Sequence, residues 1–353
     1  MATAVAPGLR PAGGVLPSTA LAAAAVLALA LALRTPASLA VLGLATFGIL
    51  HNVLELRYVA GRFEQVLTGR LLRLLLVLIT GILCCRLLPP GPVSRTGEIL
   101  LAYGLLAATC GYALRGRPLP LLGAAGGLLP AAACSLAFPG YHFVVLTHLH
   151  NLVPLVFLWE WSRRMPRGRT AFLAVQCGWV LAVPALLLSG ALDRWLVPGG
   201  SAVDRLAAAY TPPAWLHTSA GLRFVAVFAF LQTMHYVVWV WFLPRHAPDA
   251  AAAFDRRVPL LRGRRAWLLG AAAGAALAVL FAGDYAQGKA LYAALASYHA
   301  YLEFPVLLLL VLGLAEPGAP GVPGVPGVPG VPGASRVPGS GGILPERKTH
   351  VPG

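Results

Sequence analysis

Apolar runs long enough for a helix to cross a bilayer follow one another almost without a break between residues 15 and 315, and this leaves few folds open. Inside lipid no water can satisfy the backbone, so each run must close its hydrogen bonds within itself, as an α-helix does. The runs fall near residues 15–33, 36–60, 71–89, 97–114, 118–138, 141–162, 170–190, 222–243, 265–283 and 290–315. The expected fold is therefore an all-α, polytopic integral membrane bundle of about ten transmembrane helices. It should occupy residues 1–315.

A hydrophobic share of 58% and a charged share of 11% agree with that class. The net charge of +15 would fit a nucleic-acid binder if the basic residues formed one patch. They sit instead in short connections between the runs, as orientation signals do, so nucleic acid is not an expected partner and membrane lipids are. Arg is concentrated after the even-numbered runs, for example Arg62, Arg70, Arg163, Arg164, Arg256 and Arg257, and sparse after the odd-numbered ones. Both termini are expected to be cytoplasmic, in a cell membrane of bacterial type. Arg10 followed by Ala20 to Leu33 has the outline of a signal peptide, but Arg34-Thr35-Pro36 is a poor cleavage site, so the run is read as a retained first span. After Leu314 the chain becomes a Val-Pro-Gly repeat with little to bury, and 316–353 is expected to be a disordered cytoplasmic tail. Cys84, Cys85, Cys110, Cys134 and Cys177 show no CxxC spacing and read as small buried hydrophobes.

The chemistry is concentrated in a few polar residues within the runs. His51 and Glu55 are four apart in the second run, and His299 and Glu303 repeat that spacing in the tenth, so each pair shares one helical face. His148 and His150 lie in the sixth run and His235 in the eighth. All four runs are even-numbered and should point the same way, which places the five histidines within about 12 Å of depth near the midplane. His148 and His150 point roughly 200° apart on a regular helix, so one of them is expected to face away. Pro154 and Pro305 should kink their helices and open space for a ligand.

A charge at the bilayer centre costs about 2.5–3.5 kcal/mol on the insertion scale, so Glu55 and Glu303 must be neutral, paired or bound to a cation. A metal ion held by His51, His148, His150, His235, His299, Glu55 and Glu303 would satisfy both residue types at once. Asn151 and Gln232, each one turn from a proposed ligand, are supporting candidates, and His217, in the outer connection 191–221, is a candidate lid residue. Imidazole-rich sites suit iron, copper or zinc better than magnesium or calcium. Histidines on facing helices would also ligate haem in an electron-transfer protein, and buried His and Glu can relay protons in a transporter. No phosphate loop, Rossmann glycine pattern or HExxH is present.

The segment GILHNVLE, residues 48–55, resembles the early-span motif PHGALD of the Brp/Blh family of membrane β-carotene dioxygenases, with Leu50, Asn52 and Glu55 standing where that motif has Pro, Gly and Asp. The resemblance implies an all-helical fold, His51 as an iron ligand and a lipophilic substrate such as a carotenoid or another isoprenoid. With dioxygen activation at a histidine-bound iron, the expected activity is that of an oxidase or oxygenase.

Overall fold

The computed structural model describes residues 15–197 and 209–313, so the Val-Pro-Gly tail lies outside the described residues. Among them every regular element is a helix: α1 (Val15–Arg34), α2 (Pro36–Arg62), α3 (Gly69–Leu87), α4 (Pro92–Ala113), α5 (Pro118–Ala137), α6 (Pro139–Leu152), α7 (Pro154–Ser162), α8 (Arg169–Cys177), α9 (Val183–Leu188), α10 (Ser219–Tyr236), α11 (Leu243–His246), α12 (Pro248–Arg257), α13 (Arg264–Gly283) and α14 (Tyr285–Val311), with short 3₁₀ turns between. Two π-helical stretches, Gly178–Ala182 and Val237–Phe242, join α8 to α9 and α10 to α11.

Local chemistry explains the boundaries. Pro36, Pro92, Pro118, Pro139, Pro154 and Pro248 each open a helix, where the missing N–H is no loss and the fixed φ is already helical. Asp284 caps α14 by accepting from the Gln287 N–H at 3.0 Å, and Thr218 caps α10 by accepting from the Ala220 N–H at 3.2 Å. Pro154 separates α7 from α6 as expected, whereas Pro305 sits inside an α14 that runs on to Val311.

Among the described residues, eight helices are long and apolar enough to cross a membrane, with the joined segments counted as single helices. The expected ten included α3 and α4, which have 19 and 22 residues but carry Arg70, Arg73 and Arg86, and Arg95 and Glu98, respectively. The sequence counts them as apolar runs near 71–89 and 97–114. Their charges lower the apolarity on which that count depends.

α2 is the centre of the packing, touching α1, α10, α12, α13 and α14. Its approach to α12 requires Gly61, because a Cβ there would lie 1.9 Å from the Ala250 carbonyl oxygen. Arg57 binds Asp255 of α12 through two hydrogen bonds of 2.8 and 2.6 Å, and those bonds hold the Asp255 carboxyl below its ordinary pKa. Leu71, Leu75, Ile79 and Ile82 form a buried stripe along α3, which packs on α4 and α14. The periphery is different. α5 has no buried residue, and Leu119, Leu122, Leu129 and Val279 are more than two-thirds exposed, as side chains facing acyl chains would be. The cysteines follow the periphery: Cys110 alone is buried, Cys85 is half-buried, and Cys84, Cys134 and Cys177 are exposed, which corrects their reading as core residues.

Candidate metal centre

Four of the five histidines expected to share one depth meet at one point. α2 supplies His51, α6 His150, α10 His235 and α14 His299. Ring centroids are 4.8 Å apart for His51 and His299, 5.0 Å for His150 and His299, 4.7 Å for His150 and His235, and 5.1 Å for His51 and His235. The four-residue spacing places Glu55 and Glu303 on the same faces as His51 and His299. His51, Glu55, His235, His299 and Glu303 are all at most 1% exposed.

The bonding around the rings fixes which nitrogens point inward. His51 Nδ1–H donates to the Phe47 carbonyl at 3.0 Å, so in the neutral ring Nε2 carries a lone pair. Glu303 Oε2 lies 2.7 Å from His150 Nδ1, and as a carboxylate it accepts that N–H and leaves the His150 Nε2 lone pair free. Both Nε2 atoms face His299 Nε2, at 3.2 and 3.3 Å. Two nitrogens each about 2.1 Å from one ion and about 90–109° apart would be separated by about 2.9–3.4 Å. Within the same cluster, ligand atoms of His51, His150 and His235 lie within 4.8 Å of one another, as do those of His51, Glu55 and His299.

The protein does not satisfy this cluster by itself. One His299 N–H can serve both facing lone pairs only by leaving Nδ1 as an unpaired acceptor, and His299 Nδ1 is indeed buried without a partner. Both ring nitrogens of His235, both carboxyl oxygens of Glu55 and Glu303 Oε1 are also buried and unpartnered. His235 Nε2 stands 3.8 Å from Glu55 Oε2, too far for a hydrogen bond. Such a concentration of unsatisfied donors and acceptors is uncommon in a folded core, and it lies around one point. The donor set fits a divalent transition-metal ion. Four neutral imidazoles, two carboxylates and one such ion sum to zero charge, which suits a low-dielectric setting.

His148 does not join the cluster. Its Nε2–H donates to the Tyr210 carbonyl at 2.9 Å, so the choice between His148 and His150 falls to His150. Asn151 is buried beside the centre with Nδ2 unpartnered, whereas Gln232 donates to the Tyr236 hydroxyl at 2.9 Å and reaches no histidine. Tyr236 in turn packs on the His51 ring, centroids 4.6 Å apart, so Gln232 acts on the centre only through that tyrosine. His217 is exposed and does not line the cavity beside the histidines, which corrects its reading as a lid residue; Tyr210, from the same outer connection, lines that cavity. Glu160 pairs with Arg62 of α2 and, at 3.8 Å, with Arg164 of its own helix end.

A cavity of about 240 Å³ opens over His51, His150, His235 and His299, walled by Leu146, Tyr210, Phe228, Tyr292 and Phe304. Arg86 also lines it and belongs to a cluster the sequence reading did not anticipate. Its Nε and Nη2 donate to Glu98 Oε1 at 2.9 and 2.7 Å, Nη1 donates to the Ala293 carbonyl at 2.7 Å, and the Tyr301 hydroxyl donates to the same Glu98 oxygen at 2.5 Å. Glu98 is the lone acidic residue between residues 71 and 114, and that isolation in an apolar stretch was the available signal. No protein-family model matches the chain, and no curated protein or solved structure matches it.

Proposed function

We propose that the protein is a membrane-embedded metalloenzyme in which His51, His150, His235 and His299 hold one transition-metal ion, iron in the first place, for oxidation or oxygenation of a lipophilic substrate. The observation that carries this reading is the approach of three Nε2 atoms at 3.2 and 3.3 Å, two of them in rings whose Nδ1 is already engaged by an acceptor. Glu303 then orients His150 as the carboxylate of a carboxylate–histidine–metal triad, and Glu55 completes the charge balance or binds directly. An iron(II) ion with an open position would supply dioxygen activation. The cavity over the rings, walled by Leu146, Tyr210, Phe228, Tyr292 and Phe304, suits an apolar molecule.

The likeness of GILHNVLE to the Brp/Blh motif supports iron over copper or zinc and an isoprenoid or carotenoid as substrate. Ring centroids no more than 5.1 Å apart favour a bare ion over haem, because a bis-histidine haem needs two imidazoles on opposite sides of a wide planar macrocycle. In this reading α3 and α4 are two further spans, their charges held at helix ends or in the Arg86–Glu98 pair, which gives ten spans with both termini cytoplasmic.

The test is elemental analysis of detergent-purified protein, with a visible spectrum and electron paramagnetic resonance after addition of nitric oxide. One iron per chain, no Soret band and a high-spin iron–nitrosyl signal, all lost in His51→Ala and His299→Ala, are expected. A Soret band moves the assignment to haem. Folded protein holding neither metal nor haem overturns the metalloenzyme and leaves a proton relay.

A further inference from the structure

A second cavity, of about 400 Å³, lies beside the first, between α4, α5, α6 and the Tyr301–Pro305 stretch of α14. Leu146, Tyr301 and Phe304 line both cavities, so the two adjoin at these side chains. The walls of the outer one are largely apolar, with Leu105, Leu106, Val145 and Leu149 among them. They are interrupted where one residue from each of three helices meets: Tyr103 of α4, Ser135 of α5 and His142 of α6. Tyr103 Oη is 2.9 Å from Ser135 Oγ, which is 3.0 Å from His142 Nδ1. His142 Nε2 is buried and has no partner.

His142 lines the cavity, and a ligand that reaches its ring edge must suit this unpartnered nitrogen. If protons run from Tyr103 through Ser135 to His142 Nδ1, Nε2 carries a hydrogen and needs an acceptor; if they run the other way, Nε2 is a lone pair and needs a donor. A hydroxyl does either, and a hydrocarbon does neither. A carboxylate would bring a charge into a cavity whose lining holds no Lys or Arg. His142, Leu146 and His150 follow at four-residue intervals along α6, so about 12 Å of helix separates the polar trio from the histidine centre on roughly one face.

We infer that the outer cavity is a binding site for the distal end of an elongated lipid alcohol, with its chain lying past Leu146 and Phe304 and its hydroxyl bonded to His142. That the near end reaches a metal rests on the function proposed above; the recognition of the hydroxyl does not.

The experiment measures binding to the full-length protein in lipid nanodiscs by tryptophan fluorescence, with geranylgeraniol, the same chain lacking the hydroxyl, and geranylgeranoic acid as probes. The alcohol is expected to bind about tenfold more tightly than the hydrocarbon, the size of one net hydrogen bond at the upper end of its range, and more tightly than the acid. In His142→Phe the alcohol-to-hydrocarbon ratio should fall to about one, and Ser135→Ala, which removes the bridging hydroxyl without loss of bulk, should lower it as well. Equal affinities for alcohol and hydrocarbon in the wild type, tightest binding by the acid, or an undiminished ratio in both variants overturns the inference. Iron is measured on the same samples. Iron without alcohol preference overturns the lipid alcohol alone, and alcohol preference without iron overturns the metalloenzyme alone.

Discussion

Two polar clusters lie within reach of the same cavity, and they are completed differently. In the Arg86–Glu98–Tyr301 cluster each strong donor meets an acceptor from the chain itself, and no buried atom of the three residues lacks a partner. In the His/Glu centre the rings are equally well held, yet buried atoms of His235, His299, Glu55 and Glu303 remain unpartnered around one point. A closed network stabilises the fold by itself. An open one leaves buried groups that a bound ligand would satisfy, and that contrast separates the two clusters more sharply than burial, which they share.

If the contrast is right, the two clusters fail in different ways. The largest effect on metal should come from His51→Ala or His299→Ala, reducing bound metal from about one ion to none by elemental analysis of the purified protein. The largest effect on the fold should come from Glu98→Ala, which leaves Arg86 without its carboxylate: a loss of about 3 kcal/mol, the same with and without metal, read by thermal melting in nanodiscs. A metal-dependent loss in Glu98→Ala would erase the distinction. Glu303→Gln keeps the shape but removes the charge facing His150 Nδ1, and metal affinity should fall by about 10- to 100-fold in a competition titration with a chelator. Smallest of all, His148→Gln should leave metal content unchanged and cost about 1 kcal/mol for the lost bond to Tyr210.

The reach of the sequence can be read from these same residues. The pairs His51/Glu55 and His299/Glu303 were legible because one helix period decides their common face, and the convergence of His51, His235 and His299 followed from depth along parallel helices. The choice of His150 over His148 was not legible: it depends on the rotation of α6, and the carbonyl that takes His148 comes from Tyr210, across a connection 62 residues long in sequence separation. The pairing of Arg86 was not legible because its partner Glu98 lies beyond a turn, on the next helix. The count of spans turns on a related point. Hydropathy sees the arginines of α3 and α4 as ends or interruptions, and it cannot see that Arg86 is neutralised in place.

α5 closes the outer cavity, yet it has no buried residue, and it touches only α4 and α6 among its larger contacts. At 20 residues it measures about 30 Å, the thickness of the hydrocarbon layer itself. A helix held so lightly by protein takes its tilt from the match between its length and the bilayer around it. The wall that carries Ser135 is thus the part of the bundle most responsive to membrane thickness, and lipid composition becomes a determinant of how wide that wall stands open.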